Sequence, residues 1–247
     1  MNDATAQFRR LAEDSIDAAL EADPVGATWL GDHRFDDRLP DYSPEARASR
    51  SRQIDDQLTA IDAIDDVELD AVDLVDLEIL RSRLQREAFQ IDELVSAQWN
   101  PMEWNPGTAL HLLLSRDFAP WPERLASIQS RLSAIPEFLD TARRSLDSMP
   151  HIHVETAIGQ LTGTRAVVTD SIGEQCAMHE TDLPEGIDAA VAAIDEHIAW
   201  LNEQLPVSTR SPRLNQRIYA GVLWHSLDEE GTAAAAPRPV LAYGPGR

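Results

Sequence analysis

The chain has 247 residues, 43% of them apolar and 6% aromatic, and its formal net charge is −22, with all 21 basic residues being Arg. That is enough apolar material for one large core or two small ones, filled mostly by aliphatic side chains. So acidic a chain, with no basic cluster, is repelled by phosphate backbones and by anionic lipid, which excludes nucleic acid and membrane partners.

Helical periodicity dominates from the first residues, and strand alternation is nearly absent. A first helix is expected over about residues 3 to 22, with Phe8, Leu11, Ala12, Ile16, Ala19 and Leu20 on one face. This segment lacks the apolar run of a leader, and no window reaches the length of a membrane span, so the expected location is the cytoplasm. Pro24 biases Asp23 away from helical geometry and ends the helix. A connector then runs from 23 to 43, where Pro24, Gly26, Gly31 and Pro40 set turns, and Trp29 and Phe35 are expected to pack apolar side down.

Ser43-Pro44-Glu45 restarts a helix, with Ser as cap, Pro in the first turn and an acid beside the helix dipole. It should run to about Ile64. Between Asp55 and Glu78 stand ten acids and no base. The run lacks the spacing and the Gly turn of a calcium loop, so a solvated acidic connection is expected. A third helix follows over about 71 to 97, with Leu77, Leu80, Leu84, Ile91 and Leu94 in line. Glu87 falls on that same line, where a carboxylate must be paired or must face a cleft.

Residues 98 to 125 concentrate Trp99, Trp104 and Trp121 among four prolines, and Asn-Pro pairs at 100–101 and 105–106 signal turns. "GTALHLLLSRDFA" reads as a short helix capped by Thr108, buried on most sides, with His111 as a hydrogen-bonded core residue. Pro122-Glu123 opens another helix with Leu125, Ile128 and Leu132 inward, which Pro136 should break or kink before the pattern ends at Pro150. From His151 to about Glu180 the inward line is Val154, Ala157, Ile158, Leu161, Val168, Ile172 and Cys176. Gly159, Gly163 and Gly173 weaken that helix and permit close helix contact. The single cysteine, Cys176, rules out an internal disulfide and reads as a small core residue. "TDLPEG" should reopen a helix carrying Ile187, Val191, Ile194, Ile198, Leu201 and Leu205, and a last helix is expected over about 212 to 227. The final stretch "GTAAAAPRPVLAYGPGR" has no periodicity and reads as a tail.

No motif carries chemistry. His-Glu-x-x-His, which would place two imidazoles on one helix face, does not occur; His179-Glu180 lacks the second His. "HIHVE" sets His151 and Glu155 one turn apart, two donors where a metal needs three or four. No nucleophile elbow and no phosphate-cradling Gly loop is present.

Four segments in order, "DPVGATWLGDHRFDDRLPDYS", "QWNPMEWNPGTALHLLLSRDFAP", "RLASIQSRLSAIPEFLDTARRSL" and "PHIHVETAIGQLTG", resemble the N-terminal half of the bacterial family called domain of unknown function 885. The resemblance covers about residues 5 to 230. It implies full members about twice this length, mostly helical and zincin-like, with a His-Glu-x-x-His-type zinc motif in the C-terminal half. It also implies that the N-terminal helices wall a substrate channel that takes a peptide. "RIYAGVLWHSLDEEGTA" fits the family; "AAAPRPVLAYGPGR" does not, which suggests a truncated or frameshifted member.

The resulting expectation is an all-α, mostly antiparallel array, with a helical domain over 1–230, a non-family tail over 231–247, and connectors at 23–43 and 98–107. No catalytic or metal-binding residue is expected, and zinc only in full-length members. Glu87, Trp104 and His111 are the candidates for the channel wall or for substrate contact. The alternatives are a stand-alone helical protein-binding module that self-associates through an exposed apolar groove, and an independent helical enzyme using His111, Glu87 or the "HIHVE" group.

Overall fold

In the computed structural model, residues 3–227 are described. The helices are α1 (Asp3–Ala22), α2 (Pro24–Leu30), α3 (Pro44–Asp62), α4 (Ala71–Phe89), α5 (Gly107–Ser115), α6 (Trp121–Ser145), α7 (His151–Ala166), α8 (Ile172–Met178), α9 (Ile187–Gln204) and α10 (Gln216–Leu227). No strand forms among the described residues, so the fold is all-α. The tail expected over 231–247 lies outside the described residues. The helical domain expected over 1–230 resolves into two compact units.

Among the described residues, the first unit holds 3–13, 51–95 and 213–227. Phe8, Ile54, Leu58, Ile61, Leu77, Leu80 and Leu84 form its core, each series at helical spacing. Burying each such side chain contributes about 2 kcal/mol. Asp70 caps α4, its carboxylate accepting from the amides of Val72 and Asp73. The buried Asp73 carboxylate is paired with Arg9 at 3.1 Å. The helix expected to reach Ala97 stops at Phe89. Gln90–Leu94 form a π turn, and the amide of Val95, at φ 43°, returns to the Gln90 carbonyl and closes it.

The second unit holds residues 14–50 and 96–212. Here α6 packs on α9, α9 on α7, and α5 on both α6 and α7. Ile128, Leu132, Ile135, Leu139, Val154, Leu161, Val168, Ile172 and Cys176 fill the core, so Cys176 is a buried core residue as expected. α6 runs through Pro136 without a break. The α7–α8 stretch contains a π turn at Val167–Ser171. A Cβ at Gly159 or Gly163 would meet open space, so no close helix contact requires either glycine. α9 opens at Ile187, after Gly186, rather than at the preceding Pro184.

The buried face of α9 is Ala190, Ala193, Ile194, His197 and Leu201, while Ile187, Val191 and Ile198 flank it half-buried. The small Ala residues let α9 settle between α6 and α7, and this brings His197 inside. His197 is 0% exposed, and neither ring nitrogen has a hydrogen-bond partner among the described residues. Burial, reinforced by Arg143, pulls its pKa down to about 4 from the ordinary 6.5. The unfolded chain therefore takes up this proton first as pH falls. Stability from this site is complete above pH 6.5 and is lost as pH falls from 6.5 towards about 4, by about 3 kcal/mol. Urea midpoints measured across that window should fall, and His197→Leu should remove most of the slope. An equal slope in the His197→Leu protein would refute the assignment.

Candidate functional site

The connector at 23–43 is more ordered than its Pro and Gly content suggests. Asp23 caps α2 by accepting the Gly26 amide at 2.9 Å, Pro24 sits in the first turn, and Gly31 closes the helix in the left-handed region at φ 89°. A Cβ at Gly26 would meet the Asp23 carboxylate at 2.2 Å, so the cap geometry needs glycine there. What read as a plain connector is thus a seven-residue helix followed by a looped return.

A buried arginine fixes that return. Arg131, on the inward face of α6, is 0% exposed. Its guanidinium donates to the Arg38 carbonyl at 2.9 Å, to the Ala109 carbonyl, and to Thr28 Oγ1 at 2.8 Å. Thr28 Oγ1 donates to Asp36 Oδ1 at 2.6 Å, and His33 Nδ1 lies 2.8 Å from Asp36 Oδ2. The His33 ring stacks on Phe118 at 3.7 Å. Burial pulls the Arg131 pKa down to about 10, against the opposing pull of Asp36 and Asp37, so the group stays charged at neutral pH. One cation thereby joins α2, the loop after it, α5 and α6. Arg124, also buried, closes the turn after α5 through the carbonyls of Leu113, Arg116 and Ala119.

Held in this way, the connector and the 103–112 segment enclose a cleft of about 250 Å³. Its apolar lining is Val25, Trp29, Leu39, Pro40, Pro106, Ala109, Leu112 and Phe138, and its polar lining is Asp23, Tyr42, Glu103, Asn105 and Thr108. Asp23 and Glu103 carry the only charges among the lining residues, both negative. Burial pushes the Tyr42 phenol up, and the nearby Glu103 and Asp23 carboxylates push it further, so it stays protonated. Trp29 is 62% exposed rather than packed apolar side down. Arg116 lies over it, with its guanidinium 4.6 Å from the ring centroid and donating to the Trp29 carbonyl at 2.8 Å. Phe35 is half-buried.

None of the three expected wall residues lines this cleft. Trp104 is 0% exposed and backs the wall: its indole donates to the Ala97 carbonyl at 2.9 Å, and its ring packs on Tyr42 and Phe138 at 5.3 and 5.2 Å. His111 is exposed on α5 rather than in the core, because the buried residues Ala109, Leu110, Leu112, Leu113 and Leu114 leave it, with Thr108 and Ser115, on the side facing water. Glu87 is half-buried on α4, in the first unit. Thr108 does not cap α5; Asn105 Oδ1 accepts the Gly107 amide instead, at 2.9 Å. The sequence did carry a signal for Arg131, which stands three residues after Ile128 and beside Leu132 on an apolar face.

His151 and Glu155 are 3.5 Å apart and exposed, with no third donor nearby. His153 instead stacks on Trp99 at 5.6 Å, and burial, with Arg210, holds its pKa down. Among the described residues no three His, Cys, Asp or Glu side chains gather closely enough to hold a metal ion. Zinc needs three or four such donors, so these residues do not fit it.

A family model described as "Bacterial protein of unknown function (DUF885)" matches residues 24–238. No curated protein matches the chain. Among solved structures, one titled "The structure of a putative lipoprotein of unknown function from Shewanella oneidensis" matches with a TM-score of 0.83 and 24% identity over 90% of this chain. That likeness shows the fold alone. The chain spans 43% of that structure's length. No helix among the described residues is long and apolar enough to cross a membrane.

Proposed function

Because the chain belongs to this bacterial family of unknown function, we propose that it is the substrate-holding, channel-wall portion of a zinc metallopeptidase-like protein, binding a peptide without carrying the reacting metal. The observation that carries this reading is the cleft between the two connectors. A concave, mostly apolar surface with a few converging polar groups is the usual form of a ligand site. It is held by a buried ionic network rather than by loose loops, so the binding geometry is formed in advance. In a full-length relative the zinc would sit on the other half, and this half would orient the chain to be cut.

The test is metal analysis of the purified protein after zinc loading and desalting, together with a peptide hydrolysis assay. The expected result is far less than one zinc per chain and peptide retained uncut. One zinc per chain, with cleavage abolished by a chelator, would overturn the reading.

One observation favours a second reading, a binding module that pairs with a second copy of itself. Val72, Val75 and Ile79 lie exposed along one face of α4. Sedimentation of the same preparation separates the two: a dimer dissociated by Val75→Asp supports self-association, and a concentration-independent monomer removes it.

A further inference from the structure

We infer that the cleft receives a single basic side chain of a peptide, a guanidinium or alkylammonium group on an apolar stem. This rests on the substrate-holding reading above and names the chemistry of what is held.

The charge pattern is the first argument. Asp23 and Glu103 are the two charged residues of the lining, and no Arg joins them, although Arg supplies every basic residue of the chain. The neighbouring Arg116 is engaged with the carbonyl and ring of Trp29. Any acidic group entering would meet two carboxylates without a counter-charge, while a cation would complete the pairing. The net charge of −22 adds a long-range attraction for basic peptides.

The walls supply the second argument. Tyr42 and Phe138 bring two aromatic rings to one small cleft, while the Trp29 ring beside them already carries Arg116. Ring faces attract cations, more strongly where the contact is dry. Leu39, Pro106 and Leu112 give the methylene stem an apolar seat. Lys and Arg carry this combination of apolar stem and charged head. Tyr42 stays a neutral phenol and so adds a hydrogen-bonding hydroxyl rather than a third negative charge.

Size is the third argument. At about 250 Å³ the cleft lies just under the ~300–1,000 Å³ of common small-ligand sites. That is room for one long side chain and not for several residues, so the rest of the peptide must lie outside the cleft.

The experiment is calorimetric titration with two short peptides that differ at one central position, Arg in one and citrulline in the other. Citrulline keeps the shape and loses the charge. The Arg peptide is expected to bind roughly tenfold more tightly, and the Asp23→Asn, Glu103→Gln double variant should remove that preference. Both replacements keep size and hydrogen bonding, and Asn still caps α2, so the fold is preserved. Equal binding of the two peptides to the natural protein would overturn the inference while leaving the substrate-holding reading in place. Binding of neither peptide, nor of a Leu or Glu counterpart, would overturn both. A preference that survives in the double variant would place the basic side chain elsewhere and would likewise overturn the inference.

Discussion

Arg131→Met should destabilise the protein by about 3–5 kcal/mol, the range for removing one partner of a buried ionic group. Met matches the stem of Arg131 but has no donors. The carbonyls of Arg38 and Ala109 and the hydroxyl of Thr28 would each lose a hydrogen bond, and Asp36, 5% exposed, would lose its neighbouring guanidinium and retain only His33 and Thr28 beside it. Urea unfolding measures the loss. Adding Asp36→Asn should recover part of it, because the stranded carboxylate is then gone, and the coupling between the two changes reports the pair directly. A cost under about 1 kcal/mol would mean that the network is incidental to the fold. The same variant should expose the connector to proteolysis ahead of global unfolding, since Arg131 is what ties that loop to α5 and α6.

Trp104→Ala should cost about 3–5 kcal/mol, as for other large core truncations. The indole fills the space behind Tyr42 and Phe138, and its N–H satisfies the Ala97 carbonyl. Removing it leaves both a cavity and an unpaired acceptor. Trp104→Phe should cost less, since much of the volume stays while the Ala97 carbonyl is still orphaned. Peptide affinity should fall in Trp104→Ala through the loosened wall and recover largely in Trp104→Phe. Unchanged stability in Trp104→Ala, with lost affinity, would instead make Trp104 a direct contact.

The helices were legible because their grammar is local. Ser43-Pro44-Glu45, the amphipathic line from Val154 to Cys176 and the prolines at element ends each act within a turn or two of themselves. α2 obeys the same grammar, with Asp at the cap, Pro next and Gly at the end, yet its density of breakers made it look like a connector. The cleft was legible only as two places where helices fail, 23–43 and 98–107. Its chemistry was hidden because it depends on long-range partners: Arg131 meets Thr28 and Arg38 from 103 and 93 positions away. His111 misled because every neighbour is apolar, while a nine-residue helix still turns one side to water. His197 escaped notice because the inner face of α9 is shifted towards Ala190 and Ala193, beside Ile194 and Leu201, and away from Ile187, Val191 and Ile198, which stay half-buried.

Fluorine NMR of protein labelled with fluorotryptophan tests the cleft most directly, with the Trp29 resonance assigned by Trp29→Phe. On titration with the Arg peptide, the Trp29 resonance should shift and saturate while that of Trp224, on α10 in the other unit, holds still. A saturating shift at Trp224 with none at Trp29 would place binding outside the cleft and contradict the account.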